Sequence, residues 1–138
     1  MSRIRSAFAI ALAIAATACA TTPRGATVAA RLDEPFRLAQ GETASVGDER
    51  LAVRFAEVVS ESRCPVGVQC VRAGEARVRF ELRLPGAEPE AVILATEGAQ
   101  PRHASYGAYD VHLVTLEPQP RTDVPRPAYV ATLRVVRR

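Results

Sequence analysis

The chain has 138 residues, a length that suits a single domain. All 18 basic residues are Arg, the acidic residues number 15, and the formal net charge is +3. Arg3 and Arg5 lie in a predicted targeting segment, so the rest of the chain carries +3 − 2 = +1. Because the other arginines are spread among the acids, we expect no concentrated basic surface, which argues against a nucleic-acid partner.

The first 18 residues have the organisation of a secretory signal peptide. Two arginines near the start precede an apolar run at residues 7–18 that only one Thr interrupts. A run of about a dozen residues is short for a membrane span but fits the hydrophobic region of a signal peptide. We therefore expect residues 1–18 to be removed during export.

The segment at residues 16–19, Ala-Thr-Ala-Cys, resembles a bacterial lipobox. This resemblance implies that Cys19 becomes the mature N-terminus, carries the lipid and anchors the protein in a membrane. Ala20 follows Cys19, as in lipoproteins that Gram-negative cells sort to the outer membrane, so we expect an envelope protein there that faces the periplasm. Lipidation of Cys19 would also leave Cys64 and Cys70 as one pair. A plain signal peptide that leaves Cys19 free is the alternative.

Residues 19–34 contain Thr, Ala, Pro and Arg without a sustained hydrophobic period. Such a segment is typical of a flexible tether that holds a domain away from the membrane. Packing of this segment on the domain is the alternative. The folded domain is accordingly predicted at residues 35–138.

The rest of the chain shows the period of two that is typical of half-buried strands. The pattern is strongest at residues 76–84, where apolar residues alternate with Arg and Glu. Residues 51–56 alternate as well, and the phase shifts at residues 58–59, which predicts a β-bulge. Further strands are predicted at residues 36–38, 43–46, 91–96, 109–116 and 129–135.

About seven short strands with regular turn signals, and no helical pattern after the signal peptide, predict an all-β domain. We expect an antiparallel β-sandwich, with an immunoglobulin-like topology as one version and a small β-barrel as the alternative. Residues 97–107 are predicted to form a loop that contains Tyr106, whereas Tyr109 is predicted to lie in the core.

Cys64 and Cys70 are six positions apart, with a Pro and a Gly between them. Such a segment can fold back, and we expect a structural disulfide that closes a loop between two strands. The spacing differs from the close Cys pairs of zinc sites and from the Cys-x-x-Cys of redox sites. A copper site that includes His103 or His112 is a further alternative, although His112 is predicted on a solvent-facing strand position and His103 in a loop.

Two segments carry a resemblance to a known family. Residues 62–76 read Ser-Arg-Cys-Pro-Val-Gly-Val-Gln-Cys-Val-Arg-Ala-Gly-Glu-Ala, and residues 116–120 read Leu-Glu-Pro-Gln-Pro. Both resemble motifs of a family of small, largely uncharacterised bacterial envelope lipoproteins, and the resemblance covers residues 36–136. It implies an envelope location and a β fold, without implying an activity. The family often has Trp where this chain has Arg72, so the chain departs from the pattern there.

The sequence contains no Gly-x-Ser-x-Gly elbow, phosphate-binding loop or His-Glu-x-x-His zinc motif. Ser105, a histidine and Asp110 are close in sequence, but this does not give the geometry of a catalytic triad. Glu75 and Glu81 are flanked by arginines and are expected to form ion pairs with them.

The sequence therefore predicts a non-enzymatic, lipid-anchored envelope protein whose β-sandwich binds a protein partner or stabilises an envelope assembly. The alternative is a periplasmic ligand-binding, inhibitor or metal-binding module that uses the surface of the Cys64–Cys70 loop. Arg63 and Arg72, which lie near the two cysteines, are the candidate partner contacts. No cofactor, metal ion or nucleic acid is expected.

Overall fold

The computed structural model describes residues 26–48, 50–98, 101–125 and 127–138. The regular structure in these ranges is entirely β-strand. The strands are β1 Thr27–Ala30, β2 Pro35–Ala39, β3 Thr43–Val46, β4 Leu51–Glu61, β5 Ala76–Arg83, β6 Glu90–Ala95, β7 His103–Tyr106, β8 Tyr109–Glu117 and β9 Val130–Arg137. The predicted signal peptide and Cys19 lie outside the described residues. A search of the described residues finds no helix able to span a membrane.

The strands form two sheets that share one hydrophobic core, which confirms the predicted sandwich. One sheet has the order β1-β3-β4-β5-β6 and the other the order β2-β9-β8-β7. Neighbouring described strands are antiparallel except for the parallel pair of β1 and β3. The two sheets stay separate, so the domain is not a closed barrel. Strands β3 to β6 are neighbours in chain order, whereas an immunoglobulin sheet pairs strands A, B, E and D.

Strand β5 shows how the alternating pattern builds the core. Its apolar residues are fully buried, and Phe80 packs against Phe55 of β4 with ring centroids 5.4 Å apart. Burial of one such side chain stabilises the fold by about 1.5–3 kcal/mol. The charged residues of β5 lie on the outer face. There Glu75, just before the strand, pairs with its neighbour Arg77 at 2.7 Å, as predicted, whereas Glu81 pairs with Arg54 of β4 at 3.1 Å and not with a flanking arginine.

Strand β4 contains the predicted bulge. Its register against β5 shifts between Phe55 and Glu57 and again between Val58 and Ser60. Bulges bend a strand and increase its twist. The strand continues to Glu61, and its end lies close to the end of β8, where the two sheets meet.

Part of the predicted tether is structured, so the prediction for residues 19–34 is wrong at β1. This strand pairs with β3, and Ala30 is buried in the core while Val28 packs against it. Residues 27–30 lie in a segment without a sustained hydrophobic period, and their pairing depends on the free edge of β3. The folded part of the chain therefore begins before residue 35.

The predicted loop at residues 97–107 contains β7, which forms a hairpin with β8. Tyr106 was predicted in this loop, but it is buried, while the core position of Tyr109 is confirmed. The Tyr106 hydroxyl donates to the carbonyl of Glu88 at 2.6 Å and accepts from the N–H of Leu84 at 3.3 Å. Tyr106 therefore ties the β7–β8 hairpin to the turn between β5 and β6.

Replacing Tyr106 with Phe keeps the ring and removes both hydrogen bonds. We expect the free energy of unfolding to fall by about 1–2 kcal/mol, because the two backbone groups lose their partner in a part-buried site. Urea denaturation measures this change. Tyr109→Phe is the matched control, since no hydrogen bond of its hydroxyl involves the described residues, and equal losses in both variants would contradict the assignment.

Candidate functional site

Residues 62–75 connect β4 to β5, and we call them the cysteine loop. Cys64 and Cys70 form the predicted disulfide, with their Cα atoms 6.0 Å apart. Inside the ring, the N–H of Val68 donates to the carbonyl of Pro65 at 3.1 Å and closes a turn. The loop is thus constrained both by a covalent bond and by its own backbone.

The base of the cysteine loop is closed by Ser62 and Glu75. The N–H of Ser62 donates to the carbonyl of Glu75 at 2.9 Å, and the N–H of Glu75 donates to the Ser62 hydroxyl at 3.1 Å. Gly74 lies so close to the carbonyl oxygen of Ser62 that a Cβ atom there would overlap with it. This close approach of two backbone segments requires glycine.

Arg63 holds the cysteine loop against the end of β8. Its guanidinium donates to the carbonyl of Leu116 at 2.6 Å and to the carbonyl of Pro118 at 3.0 Å. The same group forms a forked ion pair with Glu61, whose shortest distance is 2.5 Å. The side chains of Arg63 and Glu61 are only 13% and 19% exposed. We call these four residues the Arg63 clamp, and its charge-assisted hydrogen bonds belong to the strong class.

The clamp corrects one expectation from the sequence. Arg63 was expected to contact a partner, but the structure directs its guanidinium into the domain. Arg63 therefore positions the loop. The N–H of Val66 adds a second attachment, because it donates to the carbonyl of Pro120 at 2.9 Å. The two segments of the family resemblance, residues 62–76 and 116–120, are thus in direct contact.

The clamp also shifts the pKa of Glu61. Partial burial by itself raises the pKa of this carboxyl, but the hydrogen bonds from Arg63 and its positive charge together outweigh the burial. A hydrogen bond from Tyr129 acts in the same direction as Arg63. The pKa of Glu61 therefore lies below its ordinary value of 4.5.

Acid should weaken the clamp. Because the pKa of Glu61 is lower in the folded than in the unfolded chain, its contribution to stability is complete above about pH 5 and is lost as the pH falls through the folded pKa. We expect urea denaturation to show a steeper loss of stability below about pH 4.5 for the wild type than for Glu61→Gln. Parallel pH profiles for the two proteins would contradict this.

The tip of the cysteine loop is exposed and apolar. Val66, Val68 and Val71 are 58%, 45% and 101% exposed. Arg72 comes next and is also exposed, with no hydrogen bond or ion pair to any part of the chain that the structure describes. Three exposed valines therefore lie on one constrained loop, with a cation beside them.

Two shallow grooves lie in this part of the domain. One has a volume of about 380 Å³ and lies between the loop and β8, next to Thr96 and Arg102. The other has a volume of about 620 Å³ and lies between the end of β4 and residues 120–129. Among the described residues, Thr96 is the one buried polar side chain, and its hydroxyl accepts from the N–H of Ala76 at 3.0 Å. The described residues therefore contain no cluster of fully buried polar side chains.

The structure places His103 and His112 side by side, which the sequence did not predict. His103 lies on β7 rather than in a loop, directly opposite His112, and the ring centroids are 5.1 Å apart. The Ser105 hydroxyl donates to Asp110 at 2.5 Å instead of to an imidazole, so the triad considered from the sequence is not formed. Within the described ranges, no group of three or more His, Cys, Asp or Glu side chains could hold a metal ion.

Comparison with known proteins finds no matching family model, no matching curated protein and no matching solved structure. The resemblance to envelope lipoproteins therefore stays a prediction.

Proposed function

We propose that this chain is a non-enzymatic, lipid-anchored protein of the bacterial envelope that binds a protein partner through the tip of the cysteine loop. The proposal takes residues 1–18 as the signal peptide and Cys19 as the lipidated residue, at an outer membrane facing the periplasm. It is carried by one observation, which is the full exposure of Val71 on a loop that a disulfide and the Arg63 clamp hold in place.

A constrained loop loses little conformational freedom when it binds, so more of the contact energy appears as affinity. The disulfide restrains the ring, and the clamp fixes the orientation of that ring relative to β8. The two restraints act on different degrees of freedom. Together they present the exposed valines in one arrangement, which supports a role in recognition.

The chemistry of the tip defines the partner that would fit it. Val68 and Val71 would enter an apolar depression, and burial of their surface contributes about 25 cal/mol per Å². Arg72 would pair with a carboxylate at the rim of that depression, and such rim charges add specificity more than affinity. We therefore expect a protein partner with an apolar pocket bordered by Asp or Glu.

The disulfide also supports the proposed compartment. Disulfides persist in the periplasm and other oxidising compartments and are rare in the cytosol. Cys64 and Cys70 are paired, which leaves Cys19 as the remaining cysteine of the three in the chain. Lipidation of Cys19 would leave the mature protein without a free thiol.

Crosslinking in intact cells, followed by affinity purification and mass spectrometry, tests the binding role. We expect the wild type to recover one envelope protein reproducibly and Val71→Asp to reduce that recovery at least about tenfold, with a smaller loss for Arg72→Ala. Ala87→Asp is the matched control, because it places the same charge in an exposed turn at the other end of β5. Recovery that is equal for Val71→Asp and Ala87→Asp would contradict the proposal.

Cys19→Ser tests the anchor. We expect this variant to incorporate no labelled fatty acid and to be absent, as a mature protein, from the outer-membrane fraction. If the segment is a plain signal peptide, Cys19→Ser is processed normally and appears in the same cell fraction as the wild type. That result would contradict lipidation.

A further inference from the structure

The outer face of the four-stranded sheet carries both histidines of the chain. His103 is exposed on the edge strand β7, and His112 is half-buried on β8. Their neighbours Ala104 and Val111 belong to the inner face, so the alternation along each strand directs both imidazoles outward. The rings stack with centroids 5.1 Å apart and an angle of 21° between their planes.

We propose that His103 and His112 form a surface binding site for a divalent transition-metal ion, with Cu²⁺ bound most tightly. Imidazole nitrogen is a preferred ligand of Cu²⁺, Ni²⁺ and Zn²⁺, whereas Mg²⁺ and Ca²⁺ prefer oxygen. This proposal departs from the expectation, drawn from the sequence, that no metal is bound.

The register fixes the spacing that chelation needs. Directly opposed residues in an antiparallel pair have Cβ atoms about 4.5–5.5 Å apart. Metal–nitrogen bonds of about 2.0–2.1 Å bring the two ligand nitrogens within about 3–4 Å of each other. Small rotations about the side-chain bonds of the two stacked rings can bring the two nitrogens to this distance, so the backbone need not move.

The residues around His103 and His112 determine how tightly the site would bind a metal ion. Asp110 lies two positions before His112, but its carboxylate already accepts from Ser105 at 2.5 Å and lies 3.5 Å from Arg138. With no third ligand among the described residues, water completes the coordination. Arg134 of β9 lies opposite His112 on its other side, and its positive charge opposes a bound cation.

Calorimetric titration of the chelator-treated full chain with Cu²⁺, Ni²⁺ and Zn²⁺ tests the site. We expect one ion per chain, in the affinity order Cu²⁺ above Ni²⁺ and Zn²⁺. His103→Phe keeps the ring contact and removes the nitrogen ligand, so Cu²⁺ binding should weaken at least about tenfold, as it should in His112→Phe. Arg134→Gln should tighten binding about threefold at low salt. Cu²⁺ should also broaden the proton NMR signals of both imidazoles.

Binding by Cys19 or by a terminus would persist in both Phe variants, which separates such binding from the proposed site. Wild-type affinity for Cu²⁺ in either Phe variant would overturn the proposal. The absence of saturable binding to the wild type at about 1 mM Cu²⁺ would overturn it as well. Urea denaturation shows whether the Phe variants are folded, and His103→Gln and His112→Gln replace any variant that is not.

Discussion

Replacing Arg63 with Ala is expected to lower the free energy of unfolding by about 3 kcal/mol and to release the cysteine loop from the end of β8. The substitution leaves the carboxylate of Glu61 without its cation in a site that is largely shielded from water. It also leaves the carbonyls of Leu116 and Pro118 without the guanidinium as donor. Removing one partner of such a pair lowers the free energy of unfolding by more than the intact pair contributes, because the remaining carboxylate stays partly shielded from water without its cation.

Urea denaturation measures the loss of stability, and hydrogen exchange at the amide of Val66 measures the release of the loop. Arg77→Ala is the matched control. Arg77 also pairs with a glutamate, at 2.7 Å, but its side chain is half exposed, so we expect a loss below about 1 kcal/mol. Equal losses in the two variants, or unchanged exchange at Val66 in Arg63→Ala, would show that the clamp does not hold the loop.

Replacing Gly74 with Ala is expected to lower the free energy of unfolding by about 2–3 kcal/mol. The new Cβ atom would overlap with the carbonyl oxygen of Ser62, which is backbone and cannot rotate away. Relief requires the two sides of the loop base to separate, and this breaks the hydrogen bonds between Ser62 and Glu75. Exchange of the Ser62 amide should therefore accelerate more than exchange in the core of β5.

Gly86→Ala is the control for this prediction, because it would introduce backbone strain without a steric overlap. Gly86 has a φ of 76° and open space around its Cβ position. Its substitution therefore introduces backbone strain of about 1 kcal/mol without an overlap. A loss for Gly74→Ala at or below that for Gly86→Ala would mean that the loop base adjusts freely.

Local patterns predicted much of the sandwich from the sequence. The alternation in β5 predicted which side chains are buried, and the shift of phase at residues 58–59 predicted the bulge in β4. These patterns are reliable because side-chain direction alternates with a period of two in any strand. The strands β1 and β7 were missed because β1 lies in a segment without a sustained hydrophobic period and β7 lies in the segment that was predicted as a loop.

The candidate site was predicted only in part. The spacing of Cys64 and Cys70 predicted the disulfide, since a covalent ring of that size needs only local folding. The contact of Arg63 with Leu116 joins residues far apart in sequence, and no local pattern indicates it. The pairing of His103 with His112 was missed for a related reason, because it depends on the unpredicted strand β7.

A photo-crosslinking amino acid at position 71, introduced into the protein in living cells, tests the central claim most directly. The claim predicts an adduct with one envelope protein at position 71 and no such adduct at position 87, in the turn at the other end of β5. It also predicts that Arg63→Ala weakens the adduct at position 71, because the clamp positions the loop. An adduct at position 87 without one at position 71 would contradict the claim that the tip of the cysteine loop is the binding surface.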